Sequence, residues 1–275
     1  MKLYRIMTCL LALSVPYLLS SCGADRDAVK LSVDFNKAET WKYDFSCTIN
    51  GNFDWPDSSA VLSSRLDCRL VGHRTPNGAP GELEVSATDV NVSSGFLDTS
   101  ELQNIRKQVA GTHMKIRFNG KVPIPADTVS LPVFGLGEWD IYRQLIKVAP
   151  TLPEGRVHPG YSWEREREMP LETSFGKADC SLYQSFRFDS LFYEGKERYA
   201  ALSWKFKYSV NPPRGDSSNI TARLPQSGSG TGRAVLDIDG SRVLSAEIDF
   251  MTPQASFKDM NVRWEERIRM MLADK

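Results

Sequence analysis

Residues 41–50 read Trp-Lys-Tyr-Asp-Phe-Ser-Cys-Thr-Ile-Asn. Trp41, Tyr43, Phe45, Cys47 and Ile49 alternate with polar residues, and a period of two puts all five on one face of a half-buried β-strand. A turn-rich stretch from Gly51 to Ser59 follows. Leu62, Leu66, Cys68 and Leu70 then alternate with Ser63, Arg65, Asp67 and Arg69, which makes an antiparallel pair with the first strand. Leu83, Val85 and Ala87 continue the theme, and the apolar phase shifts to Val90 and Val92, as a bulge produces.

Ser100 has the position of a helix N-cap, with Gln103 three residues on, Leu102, Ile105 and Val109 on one side, and Gly111 at the end. Met114, Ile116 and Phe118 form a strand that Asn119-Gly120 turns. Pro123, Pro125 and Pro132 lead to a second helix over 138–148, which carries Trp139, Tyr142, Leu145 and Ile146 and closes at Pro150 and Pro153.

The rest of the chain is strand-rich again. Leu182, Phe186 and Phe188 precede a turn at Glu194-Gly195-Lys196, and Ala200, Leu202, Trp204, Phe206, Tyr208 and Val210 alternate with polar residues. A polar loop is expected over 211–231. Leu236 and Ile238 reach a tight turn at Asp239-Gly240, and residues 243–250 return. Val262, Trp264, Ile268 and Met270 make a last strand or short helix, with strand favoured. The expected fold is mainly β, an antiparallel curved sheet or sheets of half-barrel type with two short helices. Each half, 38–155 and 156–275, has an early aromatic strand pair and a later hairpin. Duplication would explain this, although single hairpins are too common to establish it.

The beginning of the chain has a different character. Lys2 and Arg5 precede a short, broken apolar run from Ile6 to Leu19, followed by Ser20, Ser21 and Cys22. A basic start, a short apolar core and small residues at the cut describe a secretory signal over 1–21. The run is too short for a membrane span, which needs roughly 20 apolar residues. Residues 22–37 read as a tether. The 34 basic and 34 acidic residues balance, and loss of Lys2 and Arg5 leaves the remainder slightly acidic. Nothing here resembles the basic face that nucleic acid requires.

Leu19-Ser20-Ser21-Cys22 resembles the lipobox of bacterial lipoproteins. The resemblance implies cleavage before Cys22, acylation of its thiol, and anchoring of the domain to a membrane in the cell envelope. Several acyl chains at one residue hold a protein stably on a bilayer. Gly23, where an Asp would favour inner-membrane retention, leans the assignment to the outer membrane. Further along, Phe118-Asn119-Gly120-Lys121-Val122, Leu152-Pro153, Gly160-Tyr161-Ser162-Trp163 and a closing Asp-Gly hairpin resemble a family of uncharacterised bacterial lipoproteins. These are similar in turn to the LolA-like half-barrels. The resemblance implies a curved sheet wrapped around helices and an apolar concavity, and it brings no catalytic residue.

No pattern of catalytic or metal-binding residues stands out. His73, His113 and His158 are far apart and without partner ligands at helix or hairpin spacing. Gly228-Ser229-Gly230-Thr231-Gly232 lacks the lysine of a phosphate loop and reads as a flexible loop. Asp237-Ile238-Asp239-Gly240 matches only the start of a calcium loop, and the hairpin reading is favoured. Glu164, Glu166 and Glu168 share one strand face, with Trp163, Arg165 and Arg167 on the other. That arrangement suits a solvated or edge strand, or a strip that meets a partner.

No cofactor, metal or catalytic residue is assigned, and an enzyme is not expected. The chain reads as an envelope lipoprotein that binds a lipid or other hydrophobic ligand, or else as a scaffold for other envelope proteins. Trp41, Tyr43, Phe45, Trp204, Phe206 and Tyr208 form either the ligand face or plain core. Cys47 and Cys68, on successive strands, are either disulfide-bonded or packed as small hydrophobes. With Cys180 they leave an odd thiol count after Cys22 is acylated.

Overall fold

The computed structural model describes residues 28–34, 37, 40–74, 82–95, 97–118, 123–125, 141–173, 176–211, 227–257 and 260–273. The leader, Cys22, the Asn119-Gly120 turn, the start of the second helix and positions 212–226 lie outside the described residues.

Strands β2 (Thr40–Trp55), β3 (Ser58–Arg74), β4 (Glu82–Ser94), β5 (His113–Phe118) and β6 (Pro123–Pro125) pair in succession. So do β8 (Ser162–Thr173), β9 (Gly176–Glu194), β10 (Glu197–Asn211), β11 (Ser227–Asp237) and β12 (Arg242–Met251). The last long strand, β14 (Met260–Leu272), lies between β12 and β2 and pairs with both. It joins the two series into one twelve-stranded antiparallel sheet that also includes the short β13 (Ala255–Phe257). Among the described residues the sheet is curved and open, with β6 and β8 at its two ends and not paired with each other. A separate pair, β1 (Val29–Lys30) with β7 (Arg156–Val157), ties the start of the described chain to its middle.

Two helices are present among the described residues, α1 (Thr99–Ala110) against β4 and α2 (Ile141–Val148) against β12 and β14. The N-cap of α1 is Asp98 rather than Ser100. The Asp98 carboxylate accepts from the Ser100 and Glu101 amides, and the Glu101 side chain accepts from the Asp98 amide. This reciprocal capping box satisfies more free amides than a serine hydroxyl two residues later could. Hydrogen bonds from the Glu101 amide and the Ser100 hydroxyl and amide hold the carboxyl of Asp98 below its ordinary range.

Local departures from the expected pattern have physical causes. Gly51–Trp55 is strand, and the chain reverses in two residues, Pro56-Asp57. Glycine is needed at 51 because its partner across the ladder is Trp264, whose ring would lie 2.5 Å from a Cβ there. The bulge in β4 is present: the register with β3 shifts between Asp67 and Arg69, and Asp89 opposite takes a φ of 52°. The Gly195-Lys196 turn is a two-residue hairpin with Gly195 at φ 63°. Asp239-Gly240, by contrast, sits inside a four-residue connection between Asp237 and Arg242, and the positive φ falls on Ser241. The end of the chain is strand, as favoured.

Alternation sends Trp41, Tyr43, Phe45, Cys47 and Ile49 to the inner face, where they join one continuous core with Ile105 and Val109 of α1 and Ile141, Leu145 and Val148 of α2. The outer face carries ion pairs such as Arg267–Asp249 and Arg69–Asp44.

Candidate functional site

The inner face of the second strand series is built on a stripe of glycines. Gly228–Gly232 is the first half of β11, a central strand, and not a flexible loop. Gly228, Gly230 and Gly232 point inward, directly across from Tyr208, Phe206 and Trp204 of β10. A Cβ on Gly232 would lie 2.1 Å from Trp204 Cε2, and one on Gly228 would lie 2.1 Å from Phe250 Cζ. At Gly230 it would meet Phe206 at 2.6 Å and the Asp249 carbonyl at 2.4 Å. The rings therefore lie flat across bare backbone. Phe206 stacks on Phe250 at 5.7 Å, and Trp204 continues through Phe186 to Trp163 at 5.5 and 5.3 Å. Glycine in a strand marks such close approach, and this was the signal that the sequence offered and a loop reading missed.

The aromatic positions fall into two sets. Trp41, Tyr43 and Phe45 lie on β2, whereas Trp204, Phe206 and Tyr208 lie on β10, with β14, β12 and β11 between them. All face the same core. Five are buried and Tyr208 is half-buried. The Tyr43 hydroxyl donates to the Val243 carbonyl at 3.1 Å, and burial pushes its ionisation well above the ordinary phenol range.

Helix α2 crosses this face, held by polar groups. Lys147 Nζ donates to Glu266 Oε2 at 2.6 Å, in a pair whose side chains are 15% and 5% exposed. The same ammonium lies 5.8 Å from the Tyr208 ring and 5.5 Å from Phe250, a cation–π placement. After the helix, the Thr151 carbonyl accepts from Trp163 Nε1, and its hydroxyl bonds to Arg167 on β8.

Gln184 on β9 is 0% exposed, between Leu182 and Phe186 on the same face. Among the described residues, nothing hydrogen-bonds to its Oε1 or Nε2, nor to Trp204 Nε1. Each such group costs about 1–3 kcal/mol when left unmet.

The remaining sequence candidates resolve as follows. Cys47 and Cys68 are buried, and no disulfide joins them. Cys68 faces Phe45 across the ladder and Cys47 faces Leu66, so the two are diagonal. Diagonal positions stand about 7–8 Å apart, beyond ordinary disulfide reach. The Cys47 thiol lies 3.8 Å from Glu266 Oε1, and burial pushes Cys68 up to about 12. Asp237 is buried and accepts from Arg242 Nε at 2.9 Å and from the Gly240 amide at 2.6 Å, while Asp239 is held by Arg198. Both carboxylates of the calcium-like motif thus serve the connection between strands. Arg198 also holds the Asp239 carboxyl below its usual range.

His73, His113 and His158 are exposed, and no cluster of metal-ligating side chains occurs among the described residues. On β8, at the end of the sheet, Glu164, Glu166 and Glu168 are exposed, Trp163 is buried, and Arg165 and Arg167 are half-buried. No helix of the described residues is long and apolar enough to cross a membrane. On the outer face a groove of about 570 Å³ is lined by Glu166, Tyr183, Lys207, Ser229 and Met251, among others.

No protein-family model matches the chain, and comparison with curated protein sequences finds no match. Among solved structures, a chain from a study of lipid–protein interactions in lipovitellin is similar over 85% of this chain, at 10% identity and a TM-score of 0.51. This chain spans 25% of the length of that one. Two weaker likenesses are DynF, from the dynemicin biosynthesis pathway of Micromonospora chersina, and a DUF1329 family protein from Desulfovibrio piger. The first has 8% identity, coverage of 91% of this chain and 88% of that one, and a TM-score of 0.20. The second has 8% identity, coverage of 86% and 87%, and a TM-score of 0.13. The lipovitellin likeness is one of fold: an open, curved antiparallel sheet whose inner face carries the core.

Proposed function

We propose that this protein is a non-enzymatic lipoprotein of the bacterial cell envelope, anchored through Cys22, that binds a lipid or other hydrophobic ligand against the inner face of its sheet. The observation that carries the reading is the glycine stripe of β11 beneath the rings of Trp204, Phe206 and Phe250. A flat aromatic wall inside a curved sheet is the surface an acyl chain fits, because its contact is apolar and without direction. The fold likeness to lipovitellin, a protein solved for its lipid–protein interactions, supports the same reading. The lipobox resemblance at Leu19-Ser20-Ser21-Cys22 supports the anchor and the envelope location, with the outer membrane favoured by Gly23.

Native mass spectrometry of the protein purified from its own host tests the binding. The expected spectrum contains a lipid-sized adduct that denaturation removes, in addition to the mass held covalently at Cys22. Bare polypeptide, together with no uptake of extracted envelope lipid, overturns the reading. The anchor is tested separately: Cys22→Ser is expected to lose incorporation of labelled fatty acid, and equal incorporation overturns it. A second reading, a scaffold for envelope proteins, is favoured by the outer groove, where Tyr183 and Met251 are 36% and 47% exposed.

A further inference from the structure

The pairing of β1 with β7 fixes the point on the domain from which the chain leads back to Cys22. Val29 faces Val157 and Lys30 faces Arg156 in antiparallel register, so Ala28 lies beyond Val29 on the side of His158. The Arg156 guanidinium donates to the Ala28 carbonyl at 3.1 Å, and Ala28 and Val29 are both buried. From Cys22 to Ala28 there are six steps along the chain, 28 − 22. Six residues reach at most about 20–22 Å, however they run.

The turn after β7 is held to the end of the β8–β9 pair. The Gly160 amide donates to the Phe188 carbonyl at 2.7 Å, and the Phe188 amide donates to the Tyr161 carbonyl at 2.9 Å. The exposed Tyr161 ring stacks on Trp163. β8 begins here, but β9 and β10 run on. From the Phe188–Leu202 pair to the Glu194–Glu197 pair they form a hairpin that extends about 16–20 Å further, at about 3.3 Å per residue. Its tip carries Tyr193, which is 61% exposed, and Lys196, with Glu194 and Glu197 beside them. The β11–β12 connection lies at the same end of the sheet, since Arg198 pairs with Asp239 and Lys37 Nζ donates to the Asp239 carbonyl. The β2–β3 hairpin at Trp55–Ser58 lies at the opposite end, about 50 Å away along β2.

The two lengths match: the hairpin extends past the exit point by about the distance that six residues can reach. We propose that the tip of the β9–β10 hairpin rests through Tyr193 in the headgroup layer of the membrane that holds Cys22. The Tyr161 turn faces the same surface, and the β2–β3 hairpin points away from it. This rests on the anchor reading above and adds which end of the domain meets the lipid. Tyrosine suits that layer because its ring is apolar while its hydroxyl stays wet. At the tip Lys196 is balanced by Glu194 and Glu197, so the contact does not depend on anionic lipid. A weak contact is enough, since the anchor already holds the tip at high local concentration beside the bilayer.

The experiment uses the acylated protein on phosphatidylcholine vesicles that contain a trace of rhodamine-phosphatidylethanolamine. The fluorophore NBD is attached at Lys196→Cys or at Asp57→Cys, each in a Cys180→Ser background, with Cys47 and Cys68 buried. Thermal melting checks the folding of each variant. Energy transfer from position 196 is expected to exceed that from position 57 at least twofold. Quenching of the fluorophore at 196 by headgroup spin-labelled phosphatidylcholine should fall at least twofold when Tyr193→Ser is added. Equal transfer from the two positions, or more from 57, in protein that floats with the vesicles overturns the orientation and leaves the anchor intact. Quenching that Tyr193→Ser leaves unchanged, or that needs phosphatidylglycerol and is lost in sodium chloride, overturns the tyrosine contact. Protein that takes up no labelled fatty acid and does not float removes the anchor reading, and this proposal with it.

Discussion

Gly232→Ala separates a loop from a core strand. In a flexible loop, Gly→Ala is neutral or stabilises by about 0.4–1 kcal/mol, because the unfolded chain loses freedom. In β11 the new methyl would lie 2.1 and 2.3 Å from Cε2 and Cζ2 of Trp204, far inside the roughly 3.5–4.0 Å of carbon–carbon contact. The indole must leave its seat. Trp204 is 3% exposed, and burial of a large aromatic side chain removes about 150–250 Å² from water. At ~25 cal/mol per Å² this is about 4–6 kcal/mol. If half is lost and about 0.5–1 kcal/mol of backbone entropy is regained, the net destabilisation is about 1–2.5 kcal/mol. For a chain of this size the melting temperature should fall by roughly 2–10 °C. Thermal melting and urea unfolding of parent and variant measure it. Trp204→Leu should absorb much of the penalty in the double variant, since the two sites share one space. A melting temperature that is unchanged or raised in Gly232→Ala would refute the seating of the indole on the glycine.

Other consequences are as direct. Lys147→Met leaves Glu266 buried without its cation and should cost about 3–5 kcal/mol in urea unfolding. Lys147→Met with Glu266→Leu should recover most of this, and equal loss in both would count against the ion pair as the cause. Asp98→Ala should lower the melting temperature at pH 7. The folded-state ionisation of Asp98 lies below its ordinary value, so its stabilisation is present above about pH 4 and is lost as pH falls through the lowered value. The gap between parent and variant should therefore close on acidification, and a gap constant with pH would contradict the cap. Cys47 and Cys68 are both buried, and burial pushes the Cys68 thiol up to about 12, so peptide mapping after maleimide treatment at pH 8 should find both unlabelled in the native protein and labelled in urea. Rapid native labelling, or no labelling in urea without a reductant, would show exposed or bonded thiols.

Strand content and face were legible in the sequence wherever apolar and polar residues alternated. Trp41 to Ile49 needed no tertiary information, because a period of two can bury only one face. The bulge near Asp89 showed as a phase change, and the order of hairpins followed from chain reversals at polar positions such as Glu194-Gly195-Lys196. Pairing across the whole chain was a different matter. That β14 inserts between β2 and β12 depends on edges more than 200 residues apart finding each other, and no local pattern encodes that choice.

The glycine stripe was misread because Gly is depleted in strands on average, while the compensating rings of Trp204 and Phe250 lie on neighbouring strands. The cap of α1 was missed by two residues because a cap depends on which side chain reaches the free amides. The sequence alone determined the β class, the inward residues of the alternating strands and the lipobox resemblance at Cys22. Tertiary structure decided the single open sheet, the diagonal placement of Cys47 and Cys68, the clamp of α2 by Lys147 and Glu266, and the burial of Gln184 beside Trp204. The physical reason is range. Periodicity is a property of neighbours along the chain, whereas register, ring-on-glycine packing and buried polar partners belong to residues that only folding brings together.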